Sequence, residues 1–244
     1  DFILAHTQES GFITVQGSAS HGPMYGHGFP TLFLAEAYGM TPRREVREKL
    51  SKAVALIVNT QNNEGGWRYY PVRKDADISV TICQVMALRA ARNAGIYVPA
   101  ETIDRCTEYV KKCQNADGGF KYMLPAGDSA FPRSAAGLVA LYSAGVYDGP
   151  EIEKGLEYVS QFVPREPAVN TESHYFYGHY YAVQAMWHAG GEHWKRWYPA
   201  IREALLARQR DDGGWMDSIC LEYGTAMACL VLQMPNNYLP IFQR

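Results

Sequence analysis

The sequence predicts an all-α protein, an α/α toroid in which about five helix hairpins build an inner and an outer ring. Two observations predict this fold. A short phrase containing glutamine and two glycines recurs about every 50 residues, a period typical of two-helix repeats. Segments that are apolar nearly all round also alternate with segments that are apolar on one face only, which indicates buried inner helices and half-exposed outer helices.

The recurring phrase reads glutamine, two residues, an acid, two glycines and an aromatic residue. Good copies occupy residues 61–67, 114–120 and 209–215. Weaker copies begin at Gln8 and Gln161, so successive glutamines lie 47 to 53 residues apart. The glycine pair permits a tight turn, and the aromatic ring can pack between units.

Outer helices are predicted in the segments that precede each glutamine, because these segments carry apolar residues at helical spacing and charges on the other face. Inner helices are predicted roughly over residues 30–39, 78–94, 132–144, 177–189 and 222–233. Four of them precede a glycine suited to a left-handed C-cap: Gly39, Gly95, Gly145 and Gly190. Prolines are expected at helix starts, after Thr41 and Phe29 among others.

Composition bounds the classes of function. The 244 residues are 47% hydrophobic, enough for one domain over residues 1–244, and the start at Asp1 suggests a fragment or processed chain lacking N-terminal residues. A net charge of −2 argues against nucleic acid as a partner, and no apolar stretch is long enough to span a membrane. Five cysteines without a CxxC pair favour reduced thiols and thus a cytoplasmic location, with an upstream signal left open.

The starts of the inner helices converge on one rim of a ring, and they are rich in polar residues. Tyr-Gly-His occurs twice there, 11 to 12 residues before a helix-ending glycine, so His27 and His179 are expected at equivalent places in two units. Histidines and carboxylates on such a rim could perform acid–base chemistry. The alternative is that the histidines are packing residues and the aspartates are helix caps. The rim residues are His21, Tyr25, His27, Asp75, Asp77, Asp128, Arg133, His174, Tyr177, His179, Glu222 and Tyr223.

The repeated phrase, joined to inner helices such as residues 87–90, resembles the repeat shared by squalene and hopene cyclases and protein prenyltransferase β subunits. The resemblance covers almost the whole chain. It implies a toroid whose chemistry lies at the N-terminal ends of the inner helices, around a central cavity that holds a terpenoid or lipid ligand. The repeat itself is structural in that family and does not specify a reaction.

The resemblance to protein prenyltransferases does not extend to their zinc site. Asp128 matches the aspartate of their Asp-x-Cys pair, but Ala130 replaces the cysteine, and Gly178 stands where the zinc histidine is expected, beside His179. A structural or catalytic zinc of this kind needs its full ligand set. The sequence therefore predicts no zinc-dependent prenylation, and no cofactor or divalent metal is supported.

The resemblance to the cyclases is stronger but incomplete. Their Asp-x-Asp-Asp-Thr phrase corresponds to residues 75–81, where Asp75 and Asp77 match from the front. When Thr81 is aligned instead, Ser79 and Val80 fall on the catalytic aspartates. At least one carboxylate is missing in either alignment, which disfavours protonation of an unactivated alkene.

Two main hypotheses about function follow, together with a weaker third one. The first is a cavity enzyme with terpene-cyclase-like acid–base chemistry, in which Asp77, Asp75, His27 and His179 are catalytic. The second is a noncatalytic module that binds a ligand or a protein and has kept only the fold. The third is a glycan-processing α/α barrel. The sequence does not indicate the oligomeric state. The ligand-binding residues in the first hypothesis are Tyr25, Asp128, Arg133, His174, Tyr177, Glu222 and Tyr223.

Overall fold

The computed structural model describes residues 1–15, 17, 22–164 and 174–243. Within these residues the chain is helical and has only isolated β-bridges. The helices are α1 (Phe2–Ala5), α2 (Pro23–Met40), α3 (Arg44–Thr60), α4 (Ile78–Asn93), α5 (Ala100–Lys112), α6 (Phe131–Ala144), α7 (Pro150–Ser160), α8 (Tyr175–Ala189), α9 (Gly191–Leu206) and α10 (Leu221–Gln233). Two 3₁₀ helices, Met234–Asn236 and Pro240–Phe242, follow α10. None of the helices in the described part combines the length and apolar character that a membrane crossing needs.

The helices form the two layers of an α/α toroid, which confirms the predicted fold class. Helices α2, α4, α6, α8 and α10 pack side by side in chain order as the inner layer. Helices α3, α5, α7 and α9 lie outside them, each against the inner helices that flank it in the chain. The burial pattern agrees, since α4 and α8 are buried on most sides, whereas α5 buries one face.

The glutamine of the repeated phrase ties each turn to the next unit. The Gln61 side-chain amide donates to the Gly65 carbonyl and to the Thr102 carbonyl in the first turn of α5, both at 2.8 Å. The Gln114 amide likewise donates to the Gly118 carbonyl at 3.0 Å and to a carbonyl in the first turn of α7 at 2.8 Å. This repeated pair of hydrogen bonds explains why the phrase recurs once per hairpin.

The first glycine of the phrase is required by its surroundings as well as by its backbone. Gly65 has a φ of +103°, and a Cβ atom there would lie 2.2 Å from the Arg105 carbonyl oxygen of α5. Gly118 has a φ of +86°, and its Cβ would lie 2.3 Å from the Lys154 carbonyl oxygen of α7. Each turn therefore lies directly on the backbone of the next outer helix, and only glycine allows that contact.

Some predicted boundaries are wrong. Helix α2 begins at Pro23, two turns before residue 30, and Pro30 lies inside it. The ring of Pro30 faces the carbonyl of Gly26, which has no side chain and is exposed, so water can satisfy that carbonyl. Gly39 belongs to the last turn of α2 rather than a left-handed cap, and α3 begins at Arg44 without a side-chain cap. Gly95 and Gly145, which follow α4 and α6, do have positive φ, as predicted, whereas Gly190 after α8 combines a φ of +66° with a ψ of −156°, outside the left-handed helical region.

Candidate functional site

Asp77 lies at the N-terminal end of inner helix α4 and is fully buried. Its Oδ1 atom accepts a hydrogen bond from the Val80 N–H at 2.8 Å, which caps the helix. Its Oδ2 atom has no hydrogen-bond donor within ordinary distance among the described residues, and the Arg68 Nε atom lies 3.7 Å away. One carboxylate oxygen therefore caps α4, and the other lies beside the Arg68 guanidinium and the Tyr122 hydroxyl.

Burial raises the pKa of the Asp77 carboxyl to about 6. The Val80 N–H, the Tyr122 hydroxyl and the Arg68 guanidinium act in the opposite direction, since each favours the charged form. Burial is the largest of these effects, so Asp77 can hold or release a proton near neutral pH.

Five tyrosines from different elements lie at this end of the inner layer, and with Asp77 and Arg68 they form what we call the mouth cluster. The hydroxyls of Tyr69 and Tyr122 are 2.6 Å apart, and the rings of Tyr25 and Tyr69 lie 6.3 Å apart between centroids. The Tyr177 hydroxyl of α8 donates to the Ser79 carbonyl of α4 at 3.4 Å. Burial raises the pKa values of Tyr25, Tyr122 and Tyr177 well above 10, so these three hydroxyls stay protonated. The cluster comprises Tyr25, Arg68, Tyr69, Asp77, Tyr122, Tyr177 and Tyr223.

Arg68, Tyr69 and Tyr122 are members of the cluster that the sequence analysis missed. A signal was present: Tyr69 and Tyr122 each stand two residues after the aromatic residue that ends a copy of the repeated phrase. The backbone N–H of that aromatic residue donates to a side chain in the first turn of an inner helix, Thr81 or Ser134, so a tyrosine two positions later lies near the same rim. The Arg68 guanidinium lies 5.0 Å from the Tyr69 ring centroid and pairs with Asp75 at 2.5 Å. Asp75 thus orients Arg68, and the structure gives it no contact with the Asp77 carboxyl.

His27 lies against outer helix α3 and not at the rim where the sequence predicted it. The ring is fully buried, its Nδ1 atom accepts from the Ile13 N–H at 3.1 Å, and its Nε2 atom lies 3.3 Å from the Ala53 carbonyl oxygen of outer helix α3. Both nitrogens are therefore engaged by backbone, and burial lowers the pKa of His27 to about 4. This geometry favours a structural role for His27 over the predicted role of a catalytic base.

The other repeats show that His27 occupies a structural position. Thr81, Ser134 and Thr225 each accept a hydrogen bond from the backbone N–H of the aromatic residue in their own unit, at 2.8 to 3.1 Å. Ile13 and His27 form the same contact in the first unit. A side-chain acceptor at this position therefore fixes each turn to its inner helix.

His179 occupies the corresponding position on α8. Both histidines are the fifth residue after the helix N-cap, as their predicted equivalence requires. His179 is buried among rings, with centroids 4.4 Å from Tyr175, 5.0 Å from Phe131 and 5.7 Å from Trp197 of outer helix α9. It therefore packs against aromatic rings of α6, α8 and α9, an arrangement that favours a structural role over the predicted catalytic one.

Replacing His27 with alanine is expected to lower the free energy of unfolding by about 2–4 kcal/mol at pH 7.5, because two buried backbone groups lose their partner. The folded-state pKa of His27 lies below the unfolded value, so its contribution is complete above pH 6.5 and is lost as the pH falls toward 4. Urea unfolding of both proteins at several pH values measures this. A difference between them that does not shrink on acidification would contradict the structural role.

The remaining predicted site residues lie apart from the Asp77 carboxyl. Asp128 and Glu222 are exposed, and His174 is the exposed N-cap of α8 with a φ of +60°. Arg133 donates to two backbone carbonyls, those of Phe120 at 3.0 Å and Asp128 at 2.5 Å, so it holds the loop before α6 in place.

His21, another predicted rim residue, lies outside the described residues. The part of the chain that the structure describes contains no group of three or more metal-ligating side chains.

The interior below the mouth cluster is crossed by aromatic side chains of α8, where the sequence predicted a central cavity. The Tyr181 hydroxyl lies 3.5 Å from the Cys83 Sγ atom of α4. The Tyr180 ring lies 6.3 Å from the Phe29 ring of α2. These contacts join helices that are not neighbours in the inner layer, so the ring is narrow at this level.

The stabilisation that Asp77 provides is expected to fall as the pH rises, whereas that of His27 falls as the pH drops. The folded-state pKa of Asp77 is raised, so its contribution is complete below the unfolded value near 4 and is lost as the pH rises through 6. Asp77→Asn keeps a neutral cap at every pH, so its stability relative to the native chain should rise by about 3 kcal/mol between pH 4 and pH 7.5. A pH-independent difference in urea unfolding would contradict the raised pKa.

No family model and no curated protein sequence matches the chain. Among solved structures, a variant of the type II terpene cyclase MstE from Scytonema, in complex with geranylgeranyl dihydroxybenzoate, has a TM-score of 0.67 at 17% identity and covers 99% of this chain and 71% of its own. A protein from Actinoplanes has a TM-score of 0.64 at 17% identity and covers 95% of this chain and 71% of its own.

These similarities identify the fold as that of α/α toroid proteins, and at 17% identity they identify the fold alone. A polysaccharide lyase also aligns, at 18% identity with a TM-score of 0.47. That alignment covers 62% of this chain and about half, 52%, of the lyase.

Proposed function

We propose that the chain binds a terpenoid-like small molecule that carries oxygen groups, and that Asp77 transfers a proton to or from an oxygen of this ligand. The observation that carries the proposal is the fully buried Asp77 carboxyl, with one oxygen on the helix N-terminus and the other beside the Arg68 guanidinium and the Tyr122 hydroxyl. A buried carboxylate oxygen whose nearest cation lies 3.7 Å away is incompletely solvated, and a ligand that donates a hydrogen bond to it can recover that free energy.

The acid strength of Asp77 decides which atom of the ligand can receive the proton. A group with a pKa of about 6 suits general acid–base transfer at oxygen near neutral pH. An unactivated alkene is a far weaker base and needs a stronger acid than this. We therefore propose proton transfer at an oxygen, such as that of a phenol, alcohol or epoxide. The proposed step requires no metal or cofactor.

The class of ligand follows from the other members of the mouth cluster. Tyrosines present both an apolar ring and a hydroxyl, and the partly exposed Arg68 presents a cation. This combination suits a ligand with a polar aromatic head and an apolar tail. The terpene cyclase that shares the fold binds a ligand of this kind, geranylgeranyl dihydroxybenzoate.

Calorimetric titration with dihydroxybenzoates that carry one, two or four isoprene units, here called the prenyl series, tests ligand binding. We expect at least one member to bind, and we expect Tyr25→Ala to weaken that binding at least tenfold. Tyr97→Ala is the matched control, because Tyr97 is 82% exposed and follows the opposite end of α4. Absence of binding across the series, or equal weakening by both variants, would contradict the proposal.

Turnover separates an enzyme from the noncatalytic alternative. The capping bond from Val80 N–H to Asp77 supports that alternative, because it would explain the aspartate without any reaction. Chromatography with mass detection, after incubation with bound members of the prenyl series and their epoxides, decides between them. Binding without any product between pH 5 and pH 8 would favour a module that binds the ligand and does not transform it.

A further inference from the structure

We propose that the C-terminal segment, residues 234–243, closes the interior of the inner layer opposite the mouth cluster, so that the site accepts a ligand with a short prenyl chain and excludes a chain of four isoprene units. This inference rests on the proposed function and specifies the size of its ligand. It concerns Phe242 in particular, which we identify as a residue that determines specificity.

The C-terminal segment is fixed to the far ends of two inner helices. The Ile241 N–H donates to the Glu36 carboxylate of α2 at 3.3 Å, and the Arg89 guanidinium of α4 donates to the Gln243 carbonyl at 2.7 Å. Glu36 lies eleven residues after Tyr25, and Arg89 twelve after Asp77, or about 16–18 Å along the helices. The segment therefore lies at the end of the layer that is opposite the mouth cluster.

From that end the segment inserts apolar side chains into the interior. Ile241 is 2% exposed and Phe242 is 3% exposed. The Phe242 ring lies 6.5 Å from the Tyr180 ring of α8, which in turn lies 6.3 Å from the Phe29 ring of α2. Three aromatic rings from three elements thus form a floor across the interior.

The floor lies close below the mouth cluster. Tyr180 is three residues after Tyr177 on α8, which corresponds to about 5 Å of helix rise. On α4, Cys83, which contacts Tyr181, is six residues after Asp77, or about 9 Å. An extended chain of four isoprene units is about 20 Å long, whereas a single unit is about 5 Å long. The distance along the helices from mouth to floor, about 5–9 Å, therefore matches the length of one or two units.

Titration of the prenyl series into the native chain, Phe242→Ala and Tyr238→Ala tests the inference. The native chain should bind the one-unit ligand at least tenfold more tightly than the four-unit ligand. Phe242→Ala removes part of the floor, so it should bind the four-unit ligand at least tenfold more tightly than the native chain does, with little change for the one-unit ligand. Tyr238→Ala is the matched control, since Tyr238 lies in the same segment and is 70% exposed.

Equal affinity of the native chain for the one-unit and four-unit ligands would overturn the inference and leave the proposed function intact. So would a Phe242→Ala protein that melts cooperatively and yet gains no affinity for the four-unit ligand. If Phe242→Ala does not melt cooperatively, Phe242→Leu takes its place, with a gain in the same direction expected and no gain overturning the inference. Failure of every member to bind the native chain would overturn both the proposed function and the inference.

Discussion

Replacing Asp77 with asparagine should lower turnover of the ligand by about 100- to 10,000-fold, the range that a general acid or base contributes. Asparagine is as good an N-cap as aspartate, so the bond to the Val80 N–H and the start of α4 should persist. The variant therefore removes the exchangeable proton and preserves the scaffold. Initial rates with the tightest-binding member of the prenyl series, measured from pH 5 to pH 8, give the effect.

Asp128→Asn is the matched control for this prediction. Asp128 belongs to the same predicted rim, but it is exposed and lies away from the Asp77 carboxyl, so its replacement should change the rate less than twofold. Thermal melting of both variants verifies that the fold is intact. An Asp77→Asn protein that is folded and as active as the native chain would exclude Asp77 as the proton donor.

Replacing Gly118 with alanine should destabilise the fold by about 3–5 kcal/mol, among the largest effects expected of a single substitution. The new Cβ atom would overlap the backbone of α7, with the Lys154 carbonyl oxygen 2.3 Å away, and the φ of +86° is itself unfavourable for alanine. Neither backbone can yield easily, because the turn and the outer helix are joined by the Gln114 hydrogen bonds. Urea unfolding of the variant measures the loss.

Gly213→Ala offers a control at the same position of another repeat. Gly213 has nearly the same φ, +84°, but a Cβ atom there would meet no neighbour within 4 Å. Its replacement should therefore cost only the backbone strain, about 1–2 kcal/mol. Equal losses in the two variants would show that the contact with the next outer helix does not explain the repeated glycine.

The fold could be predicted because its determinants are local and repeated. The glutamines of the three good copies each donate to the carbonyl of the first glycine of their own turn, so these copies share one local geometry. Helix boundaries were harder to place, because proline usually stands in the first turn of a helix but Pro30 lies inside α2. The Pro30 ring is tolerated inside α2 because Gly26 leaves room for it and for water.

The site was predicted in part, and the failures have a physical cause. Asp77 could be found from its motif, and the equivalence of His27 and His179 from their spacing. The sequence did not show that these two side chains face the outer layer, because the rotation of a helix that is apolar on most sides is set by packing and not by a polar face. Tyr69 and Tyr122 were missed because they stand in the turns and not on the helices.

The most direct test of the central claim is carbon-13 NMR of the Asp77 carboxyl, assigned by comparison with Asp77→Asn, in the free protein and with the one-unit member of the prenyl series. The structure leads us to expect a titration midpoint near pH 6 in the free protein, and a carboxyl resonance that the ligand displaces. A midpoint at or below pH 4, with a resonance that no ligand of the series displaces, would contradict the account of Asp77 as the acid of a ligand site.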